Sequence, residues 1–168
     1  IGVGWLREEF EAIGVPFDDR GARTDEYVAA VRELWTAERP TFQGEFVSFD
    51  AAYCRPQPAQ GSVPIIVGGH SQLAAKRAGR IGDGFFPARG ASAELIELAR
   101  RTADKHGRDG QALEVTTSLP ERLEDISALA ALGVDRLLVP VSGMAGLPAM
   151  VKNPDDARNW RETIERYR

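Results

Sequence analysis

The chain has 168 residues, 43% of them hydrophobic and 27% charged, with 21 Lys and Arg against 25 Asp and Glu for a formal net charge of −4. That is room for one domain, which at this size buries about 70% of its unfolded surface, and it excludes a disordered chain. A mildly acidic balance without a basic block argues against nucleic acid and anionic membrane as partners, and no apolar run approaches the ~18 residues of a membrane helix. Cys54 is the only cysteine, and His70 and His106 are the only histidines. An internal disulfide is excluded, and the expectation is no metal site. Ile1 is not followed by a signal pattern. We expect a cytoplasmic chain that begins inside a longer protein.

The first 60 residues open on Ile1-Gly2-Val3-Gly4, which reads as the end of a strand. Gly2-Val3-Gly4-Trp5 suits a loop passing over a flat ring, or equally a buried Trp anchoring the next helix. It lacks the G-x-G-x-x-G spacing of a dinucleotide site. Glu8, Glu9 and Glu11 read as helix-start charges and, with Asp18, Asp19, Asp25 and Glu26, as partners for Arg7, Arg20 and Arg23. Tyr27, Val28, Val31, Leu34 and Trp35 recur at helical spacing, with Thr24 as N-cap. Residues 36–63 read as a loop or hairpin insertion, in which Phe42 to Phe49 alternate around Gly44. Cys54 lies there as an ordinary loop thiol.

From Val63 onward one grammar repeats, a short apolar strand followed by an amphipathic helix. Strands are expected near 64–67, 84–87, 113–117 and 136–140. Helices are expected over 71–80, 93–106, 123–132 and 155–167, the second with Gly107 as its C-cap. Two helix exits look alike, Gly79-Arg80-Ile81-Gly82-Asp83 and Gly133-Val134-Asp135. The strands are apolar nearly throughout, as for a parallel sheet covered on both faces. Two architectures fit: about the C-terminal half of a (β/α)8 TIM barrel, or a flavodoxin-like doubly wound sheet. In a half-barrel the inner face is expected to carry Ile65 to Val67, Phe85 or Phe86, Val115, and Leu137 to Val139. Open edges and such a face predict a chain that pairs with another copy or with an N-terminal half.

The sharpest local signal is Val67-Gly68-Gly69-His70-Ser71, where a strand ends on two glycines and enters a helix. Gly68 and Gly69 permit close backbone approach, Ser71 caps the helix, and the free N–H groups of its first turn attract an anion. The plainer reading is a tight turn with a serine cap and a solvent-facing His70. No nucleophile triad is present, and no catalytic residue is singled out.

Taken together, these pieces resemble the luciferase-like monooxygenase superfamily, in its F420- or FMN-dependent oxidoreductase branch. The matching pieces run from Gly2 to Phe10, Gly14 to Phe17 and Arg20 to Glu26, then Leu34-Trp35 and the hairpin from Phe42 to Phe49. They continue with Pro64 to Ser71 and with Ala78 to Phe85. The resemblance implies a (β/α)8 barrel, residues 1–168 forming a single domain incomplete at its N-terminus, and coenzyme F420 or FMN as cofactor. It implies that Gly68, Gly69, His70 and Ser71 meet the cofactor phosphate and that Gly4 and Trp5 border the ring. The activity implied is hydride transfer, or oxygen activation, at a reduced flavin or deazaflavin on a small organic substrate. The alternative is a non-catalytic half-barrel or flavodoxin-like module that binds a phosphorylated ligand or a protein partner.

Overall fold

The computed structural model describes residues 1–139, 153–158 and 160–166. They fall into two compact units, residues 1–65 and residues 66–168.

The first unit is built on two helices, α1 (Arg7–Ala12) and α2 (Arg20–Thr36), and a two-stranded antiparallel hairpin, β1 (Phe42–Gln43) with β2 (Ser48–Phe49). Helix α1 buries none of its residues, and α2 buries only Val28 and Ala30. Thr24 does not begin α2. Asp19 is its N-cap residue, and the Thr24 hydroxyl donates back to the Arg20 carbonyl at 2.8 Å, the local bond a threonine makes inside a helix. Tyr27 is exposed although its spacing matched the apolar face, because a tyrosine can keep its polar tip in water. Ile1–Gly4 joins no strand. A glycine-rich extended run forms a ladder only where a second strand lies alongside, and spacing in sequence cannot supply one.

The second unit is a four-stranded parallel sheet in sequential order: β3 (Ile66–Gly68), β4 (Gly84–Phe86), β5 (Glu114–Ser118) and β6 (Arg136–Leu138). Its helices are α3 (Gln72–Ile81), α4 (Ala93–Lys105), α5 (Ile126–Ala131), α6 (Pro154–Arg158) and α7 (Arg161–Arg166). Strand β3 starts at Ile66 and not Pro64, since a proline has no N–H for the ladder. Gly107 follows α4 at φ +71°, the left-handed turn expected of a C-terminal glycine. The expected helix over 155–167 divides into α6 and α7; Tyr167, and Pro140 at the end of the last expected strand, lie outside the described residues.

Register fixes the core. Val67, Phe85 and Val115 lie side by side across three strands, and all three pack with Ala74, Ala75 and Ala78 of α3 and Leu95, Ile96 and Ala99 of α4. Both helices therefore cover the same face. A doubly wound sheet reverses its strand order and places helices on both faces. Sequential order with helices on one face is the winding of a (β/α) barrel, and the flavodoxin-like alternative is set aside. Ala75, Ala78 and Gly79 let α3 approach closely: a Cβ on Gly79 would stand 2.7 Å from Thr102 Cβ.

The same register corrects the inner face. Val67, Phe85 and Val115 belong to the helix side. Alternation puts Ile66, Gly68, Gly84, Phe86, Glu114, Thr116, Ser118, Arg136 and Leu138 on the other face. That face is half polar. Arg136 pairs with Glu114 at 2.8 Å, and the Thr116 hydroxyl donates to the same carboxylate at 3.1 Å. The sequence runs looked uniformly apolar because each strand is three to five residues long, too short to show alternation.

The two similar helix exits are held alike. Arg108 donates to the carbonyls of Gly79, at 2.8 Å, and Gly82, and reaches Asp83 at 3.7 Å. Arg100 donates to the Gly133 carbonyl at 2.9 Å. Both aspartates then meet the start of β5. The Asp83 carbonyl accepts from the Glu114 N–H, and the Asp135 carboxylate accepts from the Val115 N–H at 2.8 Å.

Candidate functional site

Ligands of parallel sheets with crossover helices gather at the carboxyl ends of the strands. In the second unit that end is marked by Gly68, Phe86, Ser118 and Leu138. The Gly68-Gly69-His70-Ser71 turn lies at the end of β3. Its conformation needs glycine. Gly69 sits at φ +147°, and a Cβ there would stand 2.6 Å from Ala74 Cβ. The Gly69 N–H is already committed, donating to the Phe86 carbonyl at 3.0 Å, so this residue offers a ligand no donor.

The donors come from the next two turns of chain. Ser71 caps α3, its hydroxyl oxygen accepting the Ala74 N–H at 3.2 Å and its carbonyl accepting the Ala75 N–H at 3.0 Å. The hydroxyl proton remains available to a ligand. Gln72 and Leu73, in the first turn of a ten-residue helix, present N–H groups with no intrahelical acceptor. Both lie exposed together with His70 and Ser71. The positive end of the helix dipole adds to these donors, and the set suits an anionic oxygen group such as a phosphate.

Sequence reasoning passed over Arg89. It lies exposed three residues beyond Phe86, in a turn closed by the Gly90 N–H donating to the Pro87 carbonyl at 3.2 Å. Because Gly68 pairs with Phe86, this turn leaves the sheet at the same end as Gly69. The signal was a basic residue between Pro87 and Gly90. Only the strand register gives it a place.

Gly4 and Trp5 belong to the first unit. Gly4 adopts φ +82°, and a Cβ on it would fall 2.5 Å from the ring of Phe10. Trp5 is 82% exposed, so the buried-anchor reading is overturned. The Gly4 carbonyl accepts from Arg20 Nε at 3.3 Å. Arg7 and Arg23 find acids as expected, Asp18 and Asp19 at 2.7 Å each, whereas Arg20 donates to the carbonyls of Gly4 and Phe17.

Glu26 also departs from expectation. Its carboxylate accepts the backbone N–H groups of Glu45, Phe46 and Val47 at 2.8–2.9 Å. Desolvation works to raise its pKa, but the three N–H donors and Arg23 outweigh it and hold the pKa below the ordinary carboxylate value. The residue holds a hairpin loop. Among the described residues no three His, Cys, Asp or Glu side chains gather to hold a metal ion, and no helix is long and apolar enough to cross a membrane.

Residues 1–168 match the family model described as luciferase-like monooxygenase. An FMNH(2)-dependent dimethylsulfone monooxygenase of Pseudomonas fluorescens is 28% identical over 173 residues, 97% of this chain and 47% of that protein. Among solved structures, monooxygenase RslO1 from Streptomyces bottropensis superposes with a TM-score of 0.59 at 26% identity, over 79% of this chain and 43% of that one. An F420-dependent secondary alcohol dehydrogenase in complex with an F420-acetone adduct shares the fold, with a TM-score of 0.60 at 24% identity over 76% of this chain and 42% of that one. The chain spans about half the length of the proteins it resembles.

Proposed function

The chain belongs to the luciferase-like monooxygenase family, and on that premise we propose that it serves an oxidoreductase working at reduced FMN or coenzyme F420 on a small organic substrate. The observation that carries this reading is the turn from Gly68 to Ser71. A glycine with no space for a Cβ, a serine cap and an open helix N-terminus stand together at the carboxyl end of a parallel strand. When bound, the flavin or deazaflavin supplies the hydride or oxygen chemistry, so the protein needs no nucleophile of its own.

The residues of the chain bind and orient. The N–H groups of Gln72 and Leu73 and the Ser71 hydroxyl hold the phosphate, with His70 beside them and Arg89 contributing positive charge. Gly4 and Trp5 offer a flat aromatic face to the ring, a role that rests on the family resemblance. Residues 1–168 form one barrel domain with residues 36–63 as its insertion, completed by a second copy or by further chain. The cytoplasm is the proposed location.

The test is titration of FMN and F420, oxidised and reduced, into the wild-type chain and Gly69→Val. The valine should weaken binding at least tenfold, because a Cβ at φ +147° runs into Ala74 Cβ and forces the turn out of the conformation that presents Ser71 and the N-terminus of α3. Equal affinity in the two proteins removes the site. Binding of inorganic phosphate with no binding of either cofactor favours the non-catalytic alternative.

A further inference from the structure

Trp5 poses a physical question. It is 82% exposed, so burial does not fix it. Gly2 and Gly4 are exposed as well, Val3 and Leu6 are only half-buried, and α1 buries none of its residues. An aromatic side chain that offers one face to a planar ring loses that use if its backbone wanders, because ordering it on binding costs affinity. Something other than an apolar core must hold the turn.

Two contacts do so. Gly4 lies on the ring of Phe10, so close that a Cβ would stand 2.5 Å from it. Phe10 meets Phe17 edge-on at 5.2 Å. Arg20 joins this pair to the turn. Its guanidinium carbon lies 3.8 Å from the Phe17 ring centroid, its Nη1 donates to the Phe17 carbonyl at 3.0 Å, and its Nε donates to the Gly4 carbonyl at 3.3 Å. Arg7 touches the same ring, 4.4 Å from the centroid, and is tied to Asp18 at 2.7 Å. Of these side chains, Arg20 is the one whose hydrogen bond reaches the residue before Trp5. The planar fork serves two carbonyls while its face lies on a ring, which a lysine cannot reproduce.

We infer that Arg20 is a positioning residue: it fixes the Gly4 carbonyl and so sets the orientation in which Trp5 is presented to a planar cofactor ring. The presentation to a cofactor rests on the function proposed above; the fixing of the turn does not. Arg20 touches no ligand in this scheme and acts through Gly4.

The experiment labels the chain with 5-fluorotryptophan and reads the 19F resonances of Trp5, Trp35 and Trp160, that of Trp5 being assigned by its loss in Trp5→Phe. Arg20→Met keeps the length of the side chain and removes its donors; Arg20→Lys keeps the charge. In Arg20→Met the Trp5 line should narrow and move toward that of free fluorotryptophan, with the Trp35 and Trp160 lines in place. Arg20→Lys should restore it in part, and Arg23→Met, one helical turn along α2, should leave it unmoved. The Kd for reduced FMN and F420 should rise about tenfold in Arg20→Met, by as much as in Trp5→Ala, and no further in the double variant. An unmoved Trp5 line in both Arg20 variants overturns the inference, and so does a shift equalled in Arg23→Met. If Arg20→Met does not fold, Arg20→Lys decides on the same lines. If the Trp5 line moves while Trp5→Ala binds both cofactors as tightly as wild type, the positioning stands and the ring-facing role of Trp5 fails.

Discussion

Residues 1–65 and residues 66–139 of this chain are held together by different forces. In the second region Val67, Phe85 and Val115 form a buried row beneath small residues of two helices. In the first, α1 buries nothing and α2 buries two residues, while arginines lie on phenylalanine rings and Glu26 gathers three backbone N–H groups. Packing is non-directional and survives changes of pH and salt. Polar knots are directional and depend on ionisation. The lesson is that the two regions should fail under different insults.

The largest effect is expected from cutting into the packed row. Phe85→Ala removes a fully buried ring at its centre and should cost about 3–5 kcal/mol, read from chemical denaturation as a lower midpoint with the slope unchanged. Loss of the transition altogether would sharpen the contrast; a change below 1 kcal/mol would break it.

Next comes Arg108→Met. It strips the carbonyls of Gly79 and Gly82 of a charged donor and should cost about 1.5–3 kcal/mol. Equal stability of wild type and variant would mean that water replaces the guanidinium without loss.

Ser71→Ala removes the cap of α3 and should cost about 1 kcal/mol of stability. The same variant should weaken FMN or F420 binding by roughly 0.5–1.5 kcal/mol, the net worth of one hydrogen bond. A stability loss with cofactor affinity unchanged would assign Ser71 to the helix alone.

The smallest effect at neutral pH, and the most diagnostic, concerns Glu26. Its pKa is held below the unfolded value, so its contribution is complete above the ordinary carboxylate range and disappears as pH falls through the folded pKa. Acid should therefore loosen the hairpin of the first region before the packed row. Amide exchange at Glu45, Phe46 and Val47, followed from pH 6 to pH 3 and corrected for intrinsic rates, should accelerate in wild type. In Glu26→Gln it should be fast throughout. Equal protection of the two proteins at pH 6 would show that the carboxylate does not hold the loop.

Much of the second region was legible from local pattern. The strand-helix grammar located four strands within two residues or so, and Ser71 and Gly107 marked helix ends by chemistry that acts over three or four residues. Gly69 could be singled out because a glycine needed for its conformation leaves its mark at a single position. Less of the first region could be read. Arg20 meets Gly4 across 16 residues of sequence, and Glu26 meets the N–H groups of Glu45, Phe46 and Val47 across 19 to 21. A carboxylate bound to backbone N–H groups leaves no trace in residue spacing, because every residue but proline carries that donor.

By itself the sequence determined the class of fold, the alternation of elements, the caps and the glycine turn, since each is governed by contacts within a few residues. Tertiary structure alone decided which face of the sheet is packed, that Val67, Phe85 and Val115 stand in one row, that Arg89 leaves the sheet beside Gly69, and that Arg20 holds the turn before Trp5. The first three depend on register. In a strand one residue of slip exchanges the two faces, and three-residue strands are too short for their own pattern to say which register holds.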